Sequence, residues 1–458
     1  MQKKRQKNKT IKRIVIFLFW VAVWQLFALC VGNRILLAGP WETAKAWLAN
    51  VQSTDFFLTC LYSLGRIGLG FVLGFVAGSL FGILAYRFKI LRDFLSPLMT
   101  FFKSVPVASF VVLLLIWWGS KGLSAAVVFI VVLPAVYISV VQGLSAVDGK
   151  MLEMARVFRM PLFNRFFYIY RPALKPFVDS CLGICLGMSW KSGVAAEVIG
   201  TPDFSIGERM YMSKIYLDTA GLFAWTGTVI VISFLFEKAG LFLWRRFCNW
   251  NPGFGRSVSQ ETKDTKQQAL DWELNGLSKT FEEKPVLEHI SKTLESGKIY
   301  CLMAPSGAGK TTLLRILAGA ESSDGKEVAG GRRLSMSFQE DRLAEHISAV
   351  ENVMMVLGSE RKEEICNHLL KLLPPESLDK PCCALSGGMK RRVSLVRAVM
   401  AKGDALLLDE PFAGLDEENK EKAIKYLLKN QRGRTVIVAT HDEQDAVHLG
   451  GEVWKLCE

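Results

Sequence analysis

The stretch APSGAGKTT at 304–312 follows a short apolar run at 299–303 and precedes the helical pattern LLRILAG. Strand, glycine-rich turn and helix in that order form a loop that cradles phosphates. Gly307 and Gly309 let backbone N–H groups wrap phosphate oxygens. Lys310 supplies a point charge for the β- and γ-phosphates, and Thr311 offers a hydroxyl to Mg²⁺. Ser306, Ala308 and Thr312 complete the expected phosphate-binding set, and the helix N-terminus adds its dipole. Ala304 stands where the pattern has its first glycine. The motif alone leaves many nucleoside-triphosphatase families open.

Further on, ALLLDEP at 405–411 is an apolar strand that ends in two carboxylates. Asp409 is suited to hold Mg²⁺, and Glu410 to orient or deprotonate an attacking water. A helix cap is the plainer role for such a pair, but the loop upstream makes it the weaker reading. SFQEDRL lies at 337–343 and LSGGMKRR at 385–392, with AGLD at 413–416 and THD at 440–442. His441 follows the apolar run TVIVAT and stands 32 residues beyond Asp409.

This ordered set resembles the ATP-binding-cassette ATPase family over about 271–458. The resemblance implies that Phe281 stacks on adenine and that Gln339 senses Mg²⁺, serves turnover and contacts a permease. It implies that Ser386, Gly387 and Gly388 bind the γ-phosphate of ATP held by a second copy. Asp416 would lie at the dimer interface, and His441 would join Glu410 in catalysis at the γ-phosphate. Met389 replaces the glutamine that usually ends the signature, and the segment between loop and signature looks short. Both departures bear on hydrolysis rate more than on nucleotide binding.

The elements that must position these residues differ between the two halves of the chain. Of the 458 residues, those at 1–250 carry 27 Lys/Arg against 11 Asp/Glu, whereas those at 251–458 carry 29 against 32. The basic excess therefore sits in the apolar half, where it orients membrane segments and does not form a nucleic-acid footprint. Six stretches are long and apolar enough to span a bilayer: about 14–31, 61–85, 95–118, 123–143, 177–199 and 222–245. Pro97, Lys103 and Pro106 interrupt the third, so five spans are the alternative. Residues 1–13 hold seven Lys/Arg and 144–176 hold six, which puts both termini and the large loop in the cytosol. The run at 14–31 is too long for a signal core and reads as an uncleaved anchor.

Gly70, Gly74, Gly78 and Gly82 form a stripe on which another helix can pack closely. Arg66, Lys191 and Glu197 are ionisable groups in or near spans, where pathway and pairing roles compete. The ten cysteines include no paired CxxC set, so no zinc site is expected; Cys181 and Cys185 read as small buried thiols. The loops at 32–56 and 200–221 are too short to fold as a ligand-capturing domain. Import of a dilute solute would then need a separate binding protein.

The segment EMARVFRMPLFNRFFYIYRPAL at 153–174 resembles the coupling segment of binding-protein-dependent importer permeases. Glu153, Ala155 and Pro172 match, whereas Met154 and Arg159 replace an alanine and a glycine. FFKSVPVASF, LLIWWG and GVAAEVIG resemble the nitrate, sulfonate and taurine branch, and the likeness spans about 35–246. It implies a short helix near 153–160 docked on the ATPase beside the glutamine loop; a basic amphipathic helix on the membrane surface is the other reading.

The expected fold is an all-α transmembrane bundle of about six helices, type I importer-like, followed by an α/β P-loop ATPase. The domains are 1–250 (permease), 251–270 (polar linker) and 271–458 (ATP-binding). The expected function is ATP-driven import of a small solute across the cytoplasmic membrane, with ATP and Mg²⁺. A sulfonate, a nitrate-like anion or a vitamin precursor would be the solute. Partners would be a second copy, an extracytoplasmic substrate-binding protein and the lipid bilayer, with no nucleic acid. An exporting half-transporter and a non-transporting regulatory membrane ATPase share the ATPase motifs and stay open.

Overall fold

A computed structural model describes residues 2–250, 271–282, 284–305, 307–324 and 332–456. The expected linker at 251–270 and Ser306 lie outside the described residues. The chain forms two compact units: Met1–Ala146 with Ala173–Trp250, and Val147–Pro172 with Asn251–Glu458. The loop inserted in the membrane half thus packs with the ATPase half, where the resemblance placed its short helix.

Among the described residues, five helical segments are long and apolar enough to cross a membrane: Ile14–Val31, Thr54–Arg87, Val107–Ser145, Leu162–Gly200, whose first turns belong to the second unit, and Thr219–Asn249. The span expected at 95–118 is instead divided. The helix Lys89–Ser104 ends at Val105, which is extended (φ −75°, ψ 132°), and a new helix starts at Val107. Pro106 causes the break, because it has no N–H to donate and its ring disfavours helical geometry in the residue before it. Val107–Ser145 is itself kinked at Gly119 (φ 69°, ψ −177°), so its two arms hold the rest of that stretch and the fourth expected span.

The glycine stripe packs as expected. A Cβ at Gly70 would lie 2.4 Å from the Ala125 carbonyl oxygen, and one at Gly78 would lie 2.7 Å from that of Leu133. The helices Thr54–Arg87 and Val107–Ser145 are therefore in backbone contact, which any side chain on the stripe would prevent. Glu197 is fully buried and accepts a 2.7 Å hydrogen bond from the Ser63 hydroxyl. Arg66 donates to the Asp203 carbonyl at 3.0 Å. Cys181 and Cys185 are buried thiols whose sulfurs are 3.6 Å apart.

The second unit contains strands β1 (Trp272–Phe281), β2 (Lys284–Leu294), β3 (Ile299–Met303), β4 (Leu334–Ser337), β5 (Ala405–Asp409), β6 (Thr435–Thr440) and β7 (Glu452–Lys455). β1 and β2 pair antiparallel; the others form a parallel sheet in the order β4-β5-β6-β3-β7. β5 and β6 are buried along their whole length, which is why they read as continuous apolar runs.

The helix Gly149–Val157 belongs to this unit. Asp148 caps it by accepting from the Lys150 N–H at 2.8 Å. Its buried side, Met154, Ala155 and then Phe158, joins a core that includes Leu313, Leu317, Phe338 and Met355. Asn164, wholly buried, donates to the Met355 carbonyl at 2.8 Å.

Candidate active site

The parallel sheet brings the carboxyl ends of β3, β5 and β6 to one edge, the usual ligand position in open α/β sheets. Met303 pairs with Thr440 and Asp409 with Ala439, so the loop after β3, the acidic pair and His441 emerge side by side. Gly309 has φ 90°, and a Cβ there would lie 2.8 Å from Leu287 and 3.0 Å from the Val286 carbonyl oxygen. Glycine is required by conformation and by space alike. Its turn starts the helix Lys310–Leu317. The Lys310 ammonium donates to the Ala304 carbonyl and, at 3.3 Å, to that of Pro305. It fills the centre of its own loop. Gly307 is likewise left-handed (φ 84°), and Ala308 closes the turn by donating to the Pro305 carbonyl at 3.2 Å. Thr312 follows in the first helical turn, half-buried.

Asp409 is buried at the end of β5 and hydrogen-bonded by the Thr311 hydroxyl. Burial pushes its carboxyl above the ordinary aspartate range, opposed by the Thr311 hydrogen bond and the Lys310 charge. Its Oδ2 is buried without a hydrogen-bond partner among the described residues. An orphaned carboxylate oxygen beside a hydroxyl is a donor set that suits a hard divalent cation. Glu410 lies in the left-handed region (φ 46°), held by its N–H to the Ala439 carbonyl at 2.9 Å. Such geometry costs a non-glycine residue about 1–2 kcal/mol. His441 Nδ1 is 3.6 Å from Glu410 Oε1, and its ring is largely exposed. The turn after it is pinned by Lys420, 2.5 Å from Asp442 and 2.8 Å from Asp445.

The other expected residues sit on other elements. Ser386 caps the helix Gly387–Met400 by accepting from the Met389 N–H at 3.3 Å, and Gly388 abuts Leu415 and Gly414. Asp416 caps the helix Glu417–Asn430 through the Asn419 N–H at 2.8 Å, which holds its carboxyl below the ordinary range. Among the described residues no hydrogen bond or ion pair joins Ser386, Gly387 or Gly388 to the phosphate loop. Phe281 ends β1, 42% exposed, with the Lys279 ammonium 5.0 Å above its ring.

Gln339 is exposed two residues past β4, and Glu340 next to it pairs with Lys150 at 2.6 Å. Glu153, buried, lies 2.9 Å from Arg315 and 3.1 Å from Arg342. Arg315 is on the helix that starts at the phosphate loop, and Arg342 follows the glutamine segment. One carboxylate thus ties both segments to the helix Gly149–Val157. Sequence reasoning missed Arg315, Arg342, Arg397 and Lys420. Arg397 is fully buried, donates to the Asp341 and Arg342 carbonyls at 3.0 and 2.8 Å, and is pulled down to about 10 by desolvation. Nothing local marks these cations, since their partners are far away in sequence.

Residues 287–413 match the family described as ABC transporter. Residues 70–246 match the binding-protein-dependent transport system inner membrane component. The aliphatic sulfonates import ATP-binding protein of Corynebacterium glutamicum is 37% identical over 190 residues, 39% of this chain and 77% of that protein. Its counterpart in Rhodococcus jostii is 36% identical over 196 residues, 41% of this chain and 79% of that protein. A sulfate/thiosulfate import ATP-binding protein of Xanthomonas campestris is 35% identical over 203 residues, 39% of this chain. The chain spans 59% of the length of that last relative. The fold and site define an ABC transporter, and the chain belongs to that family. More particularly, it fuses an importer-type inner-membrane component to an ABC ATP-binding unit, as a multi-pass membrane protein with the ATPase on the cytosolic side.

Proposed function

We propose that the chain is one half of a homodimeric importer that hydrolyses ATP to move a small solute inward, fed by a separate extracytoplasmic binding protein. One observation carries the reading: the tie of Glu153 to both Arg315 and Arg342 within the ATPase unit. An ATPase that served no permease would have no use for it, and an exporter would not need this importer-type segment.

In this reading Gly307, Ala308, Gly309, Lys310 and Thr312, with Ser306, hold the phosphates of ATP, and Phe281 takes the adenine. Thr311 and Asp409, with Gln339, would hold Mg²⁺, which supplies charge neutralisation at the β- and γ-phosphates. Glu410 accepts the proton of the attacking water while His441 contacts the γ-phosphate and Gln339 orients the water. Ser386, Gly387, Gly388 and Asp416 act on the nucleotide of the second copy; the lack, among the described residues, of any hydrogen bond or ion pair from Ser386, Gly387 or Gly388 to the phosphate loop supports this assignment. ATP does conformational work because it binds the closed pair more tightly than the open one. The names of the sulfonate and sulfate relatives favour a small oxyanion as solute.

Glu410→Gln tests the reading. Phosphate release should fall at least a hundredfold while ATP binding persists. Unchanged release would remove Glu410 from its role.

A further inference from the structure

Lys191 lies nine residues, about 13 Å of helix, before the outer end of the helix Arg171–Gly200. That is farther than its four-carbon stem can span. It is exposed and makes no hydrogen bond or ion pair with any described residue. A lone ammonium at this depth costs several kcal/mol if it faces lipid. The other ionisable groups of these spans differ. Glu197 is bonded to Ser63, Asp179 accepts from the Trp244 indole, and the Lys238 ammonium lies 5.2 Å from the centre of the Phe234 ring.

The face that carries Lys191 is mixed: Ile184 and Met188 stand exposed on it beside small and polar residues. Ser180, Gly183 and Gly187 precede Lys191 at helical spacing, and a Cβ on either glycine would meet nothing within 4 Å. Below them a cavity of about 400 Å³ opens between this helix and Val107–Ser145, lined by Ser139, Gln142, Ser180, Cys181 and Cys185 among others. Ser139 is hydrogen-bonded to the Cys181 thiol, whereas the Ser180 hydroxyl and the Gln142 amide have no side-chain partner among the described residues and favour water or a polar ligand.

We propose that this face, from the cavity up to Lys191, is the wall of the path taken by the transported solute, and that Lys191 selects a small anion. The inference rests on the importer reading and names the residues that would select its solute. Gln142 and Ser180 replace lost water on the solute. Lys191 offsets its charge with no competing carboxylate within 4 Å among the described residues.

The test uses the full chain in proteoliposomes. Gly187→Cys introduces a thiol where nothing crowds it. Its reaction is followed with an anionic sulfonatoethyl and a cationic trimethylammonioethyl methanethiosulfonate, each rate divided by that with a free thiol. Fragment mass spectrometry separates it from Cys181 and Cys185. The anionic reagent should react about tenfold faster, as a unit charge nearby favours it. Lys191→Gln should bring the ratio to about one. A thiol at Leu235→Cys, on an exposed apolar position, serves as the lipid-facing reference. Should the position 187 thiol react no faster than that reference, the face lies in lipid and the proposal fails. A ratio indifferent to Lys191→Gln overturns anion selection. Neither result depends on ATP turnover, so ATP-driven uptake that persists alongside either one leaves the importer reading standing.

Discussion

At the scale of single residues, the two ends of the chemistry are held by different forces. Glu410 keeps a left-handed backbone at a cost, and a strand neighbour fixes it there. Glycine at this position would relieve strain and stabilise the unit while removing the carboxylate. Glu410→Gly should therefore not lower the melting temperature, although phosphate release is lost. Gly309→Ala acts in the opposite way, because its methyl has no room and its φ is wrong. We expect ATP affinity to drop at least tenfold, read by nucleotide fluorescence. Glu153 carries a separate prediction. Glu153→Ala leaves Arg342 buried without its acid, a loss on the order of 3–5 kcal/mol where burial is complete and less here, since Arg315 is partly exposed. A double-mutant cycle of Glu153 with Arg342 should give a coupling of about 1–3 kcal/mol by denaturant unfolding; zero coupling would reduce the pair to a spectator.

Among elements, helix approach and helix docking have separate signatures. The stripe on Thr54–Arg87 admits no side chain, so Gly78→Leu must push apart a pair of helices that touch through backbone. Expression in the membrane should collapse for Gly78→Leu and survive for Gly183→Ala, whose face is open. Asn164→Ala strips the Met355 carbonyl of its buried donor, at about 1–3 kcal/mol. That variant should keep basal ATPase but lose some of its coupling to uptake. If uptake per ATP hydrolysed is unaltered, the loop segment is a passive prop.

For the molecule as a whole, the proposed pairing of two chains, in which Ser386, Gly387, Gly388 and Asp416 of one serve the nucleotide of the other, carries its own prediction. On that proposal a single chain holds half of each candidate site, and turnover requires two. Glu410→Gln with ATP and Mg²⁺ should run as a dimer of ATPase units by crosslinking at the Asp416 surface. Chelation of Mg²⁺ should abolish hydrolysis while leaving some nucleotide bound, because Asp409 Oδ2 loses the cation that its orphaned state suits. Hydrolysis in proportion to the first power of chain concentration would contradict the paired arrangement.

Sequence alone determined what depends on local order. The strand, turn and helix around Lys310 are consecutive, the apolar runs of β5 and β6 show their burial by composition, and the Gly70 stripe repeats at helical period. Charge distribution oriented the loops for the same reason, since each is read from its own residues. Tertiary structure decided whatever needed distant partners. It broke the stretch at 95–118 at Pro106, a site where apolar content and backbone geometry disagree. It joined Val147–Pro172 to the ATPase unit through buried Met154, Ala155 and Asn164, and it supplied Arg315 and Arg342 to Glu153. It also left Lys191 without a partner where Glu197 found one. A one-dimensional pattern records residue type and spacing; only packing determines which charge meets which, and at what cost in solvation.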